Sequence, residues 1–329
     1  MSFRKKIRLI DIARACGYSV NTVSRALRDK EDIGKETREK IKKISAEMGY
    51  LPNTIASSLR CGSTHTIAIV FDNMINPYFM IMADKIHYRL DRHGYATMIF
   101  AVYDNKFRST ALAPIVSRQV DGIITFLEPE PETVEICRKN KIPLLLLGRQ
   151  DSRLAIDAIY TNDYLGGYKV GKYLIDRGAR NIGYLGAPET IECAVRRFNG
   201  LKAAIVEAGL PARDENFRFM TSPSFRDDLD ILIKNGVDAI FFFNDVMALE
   251  GIKIIHEKGL KVPGDIKVIG YDGIESDFII PNNITSVSSN KEEIVDRAVR
   301  IIMERINGET AAGAQAVEFP VDIKKGASA

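Results

Sequence analysis

The sequence predicts an α/β protein: a small helical head followed by a larger body of parallel β-sheet covered by helices on both faces. Three observations carry this. From His65 onward, short apolar runs alternate with longer amphipathic stretches, which is the pattern of βαβ units whose strands are buried on both sides. The first 50 residues instead show helical periodicity with two breaks. A length of 329 residues fits two or three compact units, each able to bury its own core.

In the head, Leu9, Ile12, Ala13 and Cys16 form an apolar stripe, Gly17-Tyr18 interrupts it, and Ser19 precedes a second stripe of Val20, Val23, Ala26 and Leu27. A third helix is expected from about Lys35 to Met48, with Ile41 and Ile44 inward and Gly49 as its stop. Ala13, Gly17 and Val23 stand four and six apart, as a helix-turn-helix requires. The small residue lets the helices approach, the glycine permits a turn at positive φ, and the β-branched residue packs one helix on the other. Ser19 can cap the second helix and present its N-terminus to a major groove.

In the body the expected strands are 66–71, 96–101, 122–126, 143–147, 181–185, 239–243 and 267–271. Ligands of such sheets sit beyond the carboxyl ends of the strands, so the residues just after each run are the ones to inspect.

Charge separates the two parts. Residues 1–62 hold 14 of the 46 Lys and Arg but only 7 of the 43 Asp and Glu, which leaves 32 against 36 for the rest. A basic head on a mildly acidic body suggests that only the head meets a polyanion. The four cysteines, Cys16, Cys61, Cys137 and Cys193, lie far apart with no Cys-x-x-Cys pair, and the four histidines are scattered. Neither a disulfide framework nor a metal site is expected. No apolar run approaches a membrane span, and Met1-Ser2-Phe3-Arg4-Lys5-Lys6 lacks a secretory apolar region. The expectation is a cytoplasmic protein with no membrane partner.

Asp11-Ile12-Ala13, Ser19, Thr22-Val23-Ser24-Arg25, Thr37-Arg38, Gly49-Tyr50-Leu51-Pro52-Asn53 and Leu59-Arg60 resemble the head and hinge of the LacI/GalR family of transcription regulators. The resemblance runs to the end of the chain, through Asn76-Pro77-Tyr78-Phe79, Asp121-Gly122-Ile123-Ile124, Pro143 to Arg149, Asn162-Asp163 with Gly166-Gly167, Arg197 with Gly200, Asn244-Asp245, and Gly270-Tyr271-Asp272. It departs at Arg8, where the family has a capping Thr, at Gly34 for Ser, at Arg28 for Asn, at Ser57 for Arg, and at Gly148 for Asp.

The resemblance implies a helix-turn-helix domain at 1–52, a hinge helix at 53–62 and a periplasmic-binding-protein-like core at 63–329. The core is expected as two doubly wound lobes, about 63–161 with 290–319, and about 162–289 with 320–329. It implies a homodimer on a pseudo-palindromic operator, acting as a repressor of carbohydrate-utilisation genes under a sugar-like effector between the lobes. With no leucine-rich heptad tail, a dimer is expected rather than a tetramer.

The residues expected on DNA are Ser19, Val20, Asn21, Thr22, Ser24, Arg25, Arg28, Asn53 and Leu59. Asn21 can bond adenine, Arg25 guanine, and Val20 a thymine methyl, whereas Thr22 and Ser24 suit phosphates. By the resemblance, Leu59 is a wedge for a minor-groove step. The effector residues are expected to be Asn73, Tyr78 and Phe79 after the first strand, Arg149 after the fourth, Asn244 and Asp272 after later strands, and Arg197. Together they offer donors, acceptors and an aromatic platform. For all but Arg197, the alternative is a satisfied turn or cap.

Two other classes fit less well. An enzyme using a dinucleotide would need glycines after the first strand, but Asp72-Asn73-Met74-Ile75-Asn76-Pro77 has none, and Gly183-Tyr184-Leu185-Gly186 has the wrong spacing. No nucleophile and base pair stands out, so neither an enzyme nor a cofactor is expected. A transport-type sugar-binding protein would not need the basic head.

Overall fold

The computed structural model describes residues 7–51, 63–104, 106–151, 153–220, 224–274, 284–309 and 313–329. They fall into two compact units divided between Thr64 and His65. The expected hinge, with Asn53, Ser57 and Leu59, lies outside the described residues.

In the head, α1 (Leu9–Cys16), α2 (Val20–Ala26) and α3 (Lys35–Glu47) close around Ile12, Ala13, Cys16, Val23, Ala26 and Ile41. Gly17 has φ 75°, and its N–H donates to the Ala13 carbonyl at 3.0 Å, ending α1 in the left-handed conformation that glycine adopts without strain. Arg8 has no acceptor with which to cap α1, and Asp11 compensates by accepting the Arg8 backbone N–H at 2.9 Å.

The core is built on two sheets. Among the described residues the first holds six strands, β1 (Thr66–Phe71), β2 (Ala96–Ala101), β4 (Gly122–Thr125), β6 (Leu144–Leu147), β7 (Asp157–Thr161) and β13 (Ala316–Phe319), all parallel in the order β13-β7-β6-β4-β1-β2. Strand alternation divides its apolar side chains between two faces. Ile67, Ile69 and Phe71 pack under α4 (Pro77–Arg92) and α11 (Lys291–Ile306), whereas Ala68 and Val70 face α5 (Ser109–Val116) and α6 (Pro131–Lys139). A short parallel pair, β3 (Lys106–Phe107) and β5 (Glu128–Pro129), lies apart.

The second sheet holds β8 (Ile182–Gly186), β9 (Phe217–Phe219), β10 (Ala239–Phe242), β11 (Lys267–Tyr271), β12 (Thr285–Ser288) and β14 (Asp322–Lys324) in the order β14-β12-β11-β10-β8-β9. Only β14 runs antiparallel among these. One face is covered by α7 (Asp163–Asp176) and α8 (Glu192–Glu207), the other by α9 (Phe225–Lys234) and α10 (Asp245–Glu257). Both sheets are covered on both faces, so this is the doubly wound α/β fold that the apolar runs predict.

Three expected strands, 66–71, 96–101 and 267–271, have the observed bounds, three others differ by one residue at one end, and 181–185 is shifted by one residue, to Ile182–Gly186. Strands β7 and β12 are not among the apolar runs because they carry buried polar residues. Asp157 in β7 accepts from Arg305 and the Gln315 N–H, each at 2.8 Å. Thr285 and Ser286 in β12 bond to Ser328 and Asp245.

Candidate functional site

The N-terminal edge of α2 presents polar groups to solvent. Ser19 Oγ accepts the Thr22 N–H at 3.0 Å and shares a hydrogen bond with the Thr22 hydroxyl at 2.9 Å, so the cap expected from sequence is formed. Val20, 41% exposed, and Asn21 lie free on the outer side; Ser24 is half-buried; Arg25 and Arg28 are exposed. An exposed valine beside a capped helix end has no packing role in the head. Arg25 is ion-paired with Asp32, which lowers the Asp32 carboxyl chiefly through their side-chain hydrogen bond.

In the core, a cavity of about 360 Å³ opens at the carboxyl ends of strands from both sheets, where ligands of such sheets bind. Asn73, Tyr78, Phe79, Arg149, Arg197, Asn244 and Asp272 all line it. Residues singled out as lying just after strands are thus brought together around one space. Phe79 stacks on Phe71 and meets Phe126 edge-on, with Tyr78 edge-on to both Phe79 and Phe126, giving the apolar wall. Burial raises the Tyr78 phenol, which therefore stays protonated.

The two asparagines also have local tasks. Asn73 Oδ1 accepts the N–H groups of Ile75 and Asn76 at 2.9 and 3.0 Å, holding the turn into α4. Asn244 Oδ1 accepts the Met247 N–H at 2.9 Å as the cap of α10. Their carbonyl oxygens are committed to the backbone, so each offers the cavity mainly its amide donors.

Arg197 is held before any ligand arrives. It is 7% exposed; Nε donates to Asp163 Oδ1 at 2.8 Å, Nη1 to the Phe243 carbonyl at 2.6 Å, and the guanidinium lies 3.4 Å from the Tyr271 ring centroid. Burial works against its charge, and the surrounding groups, Asp163 foremost and then Cys193, Tyr271 and Asp272, together more than offset that, leaving the group firmly cationic. The packing of α7 on α8 sets this geometry. A Cβ on Gly167 would lie 1.9 Å from the Arg197 carbonyl oxygen, and one on Gly200 would lie 1.9 Å from that of Tyr164. Only glycine on both helices allows backbone to meet backbone here.

A buried acidic pair closes the other side. Asp245 is fully buried; its carboxylate accepts from the Ser286 hydroxyl at 2.5 Å and the Ile274 N–H at 2.8 Å. Burial, then the charge of Asp272, pushes Asp245 up to about 8. Burial also pushes Asp272 up to about 6, against the pull of Arg197, Lys291 and a hydrogen bond with Asn76. Asp272 has φ 101°, a conformation rare for a residue with a side chain, and its N–H is fixed by the Val287 carbonyl at 2.9 Å. Lys291 Nζ, itself buried, donates to the Gly273 carbonyl at 3.0 Å.

The expected set lacked Asp163, Asn76, Lys291 and Asp72, which borders the cavity and whose carboxyl is raised by burial. Asp163 was visible as part of the Asn162-Asp163 motif, but its tie to Arg197 spans 34 positions and needs the fold to be seen. Among the described residues no group of three or more His, Cys, Asp or Glu side chains could hold a metal ion, and no helix is long and apolar enough to cross a membrane.

Known proteins match this arrangement in both parts. The family model for bacterial regulatory proteins of the lacI family matches residues 8–53, and that for the periplasmic binding protein-like domain matches 172–329. The HTH-type transcriptional regulator DegA of Bacillus subtilis (strain 168) is 31% identical over 302 residues, covering 89% of each chain. The HTH-type transcriptional repressor PurR of Vibrio parahaemolyticus is 31% identical over 309 residues, covering 90% of this chain and 91% of that one. In fold, the chain is similar to the lac repressor dimer bound to operator and the anti-inducer ONPF, with TM-score 0.80 and 24% identity over 98% of this chain and 99% of that one. It also resembles the transcriptional regulator CelR in complex with cellobiose, with TM-score 0.69 and 22% identity over 98% and 100%. The chain belongs to the lacI family of bacterial regulatory proteins and is a DNA-binding transcriptional regulator with a periplasmic-binding-protein-like domain behind its helix-turn-helix head.

Proposed function

We propose that the protein is a cytoplasmic repressor of carbohydrate-utilisation genes that binds a pseudo-palindromic operator as a homodimer and is controlled by a small polyhydroxylated effector. The observation that carries this reading is the cavity lined from both sheets, with Asn73, Tyr78, Phe79 and Arg149 on one side and Arg197, Asn244 and Asp272 on the other. A ligand held from two sides makes different contacts in open and closed arrangements, and only such a difference can shift an equilibrium.

On the DNA side, Val20, Asn21 and Arg25 read bases while Ser19, Thr22, Ser24 and Arg28 meet the backbone; Asn53 and the wedge Leu59 complete the set by family resemblance. Exposed apolar residues support the dimer. Ile75, Met80 and Tyr88, from α4 and the turn before it, and Ile99 and Tyr103, from the edge strand β2 and just after it, are all exposed on the first lobe. Binding of the full-length chain to duplexes selected from a random pool, compared with scrambled duplexes across a salt series, tests the reading. A salt-sensitive preference for a two-fold-symmetric sequence is expected; equal affinity for every duplex would overturn it.

A further inference from the structure

We infer that the effector is acidic: a polyhydroxylated molecule bearing a carboxylate or phosphate, with Arg149 receiving that group. This rests on the cavity being the effector site and narrows the class of molecule it takes. Near Arg149, the carboxylates are paired with other arginines. Glu128 and Asp151 share Arg153, at 3.1 and 2.6 Å, Asp163 pairs with Arg197 at 2.8 Å, and Glu192 with Arg196 at 2.5 Å. Arg149 pairs with none of them. Half-buried in the cavity wall, it makes no hydrogen bond and no ion pair among the described residues.

Two other carboxyls border the cavity, and neither satisfies it. Asp72 feels the charge of Arg149 but makes no ion pair with it, spends Oδ1 on the Asn73 N–H at 2.8 Å, and is pushed up by burial despite that charge. Asp272 is attended by Arg197, Lys291 and Asn76. A guanidinium cannot shed its proton, and it points five N–H donors in a fixed fork. In an open cleft water accepts from them. Once a ligand displaces that water, an unmatched cation is costly, whereas a carboxylate or phosphate oxygen pair meets the fork with two parallel charge-assisted hydrogen bonds. The hydroxyls of the same molecule then face the amide donors of Asn73 and Asn244, and its apolar face meets Phe79 and Phe126.

The test uses the full-length chain in calorimetric titrations with probes matched in ring and differing in charge: D-glucose, D-glucuronate and D-glucose 6-phosphate, and the corresponding galactose series. At least one acidic probe is expected to bind about tenfold or more tightly than its neutral parent, since a hydrogen bond to a charged group is worth that much or more. Arg149→Gln should bring acid and parent to about the same affinity. Which acid binds separates carboxylate from phosphate. Arg149 holds nothing else in place, so the variant should melt with the wild type. The inference is overturned if neutral parents bind as tightly as their acids, if Arg149→Gln leaves acid affinity unchanged, or if no acidic probe binds. Operator binding of wild type and variant without any probe is measured in parallel. Arg149-dependent acid binding without specific DNA binding would uphold this inference and sink the regulator reading, while specific DNA binding answering only neutral sugars would do the reverse.

Discussion

Arg197 in α8 and Asp163 at the start of α7 form a buried ion pair, Nε to Oδ1 at 2.8 Å, beneath the cavity that Arg197 also lines. One residue thus serves both the site and the fold. Removing either partner leaves the other charged and desolvated. Arg197→Ala and Asp163→Ala should each destabilise the core by about 3–5 kcal/mol, and the double variant by much less than their sum. Urea unfolding of the four proteins measures this. Additive losses would show that the two charges do not depend on one another. Any loss of effector response in Arg197→Ala must therefore be read at a temperature where the variant is folded.

Asp245 gives the core a pH dependence of defined sign. A carboxyl pushed up to about 8 by burial contributes stability that is complete below its unfolded pKa near 4 and is lost as the pH climbs toward 8. The slope contributed by this one group is at most about 1.4 kcal/mol per pH unit. Melting curves from pH 5 to 8.5 should show wild type losing stability, with Asp245→Asn flatter across the same range. Parallel curves would mean that Asp245 is ionised throughout.

Gly200→Ala should be among the most damaging small substitutions. The added methyl would lie 1.9 Å from the Tyr164 carbonyl oxygen and 2.7 Å from the Tyr168 N. Both obstacles are backbone, so α8 must move off α7 at a cost of about 1–3 kcal/mol or more. The thermal midpoint reads the loss, and the same change at Gly178, where a Cβ meets nothing within 4 Å but φ is 83°, separates packing from backbone strain.

At the head, Arg25→Ala should reduce discrimination between the selected duplex and scrambled DNA by about ten- to a hundredfold if Arg25 reads guanine. Asp32→Asn removes the carboxylate that holds Arg25 in the free protein and should leave discrimination in place. Anisotropy titrations on both duplexes distinguish these outcomes. An equal loss on both duplexes in Arg25→Ala would reduce the residue to a phosphate contact.

What the sequence revealed follows from which interactions are local. The cap at Ser19, the turn at Gly17 and the apolar runs of β1, β2 and β11 depend on neighbours a few positions away, and they are legible. Strands β7 and β12 were not, because Asp157 and Ser286 read as solvent-facing until Arg305 and Asp245 are brought to them from 148 and 41 positions away. The same holds for the cavity. Asn73, Arg149, Asn244 and Asp272 stand just after strands and are legible by topology, whereas the commitment of the Asn73 and Asn244 oxygens to turns and the absence of a partner for Arg149 among the described residues emerge only in space.

The backbone contact between α7 and α8 also limits how a cavity like this can be re-tailored. Where Gly167 and Gly200 meet the backbone of the facing helix there are no side chains to repack, so at that point the helices cannot be re-spaced by the conservative exchanges that usually reshape a helix interface. Arg197 and Asp163 ride on that seam and are fixed with it. Laboratory selection for a new ligand should therefore draw its successful substitutions from positions on the other elements, such as 73, 149, 161 and 289, whose side chains line the cavity without sitting in the seam. Libraries that vary Gly167 and Gly200 would return mostly unfolded clones.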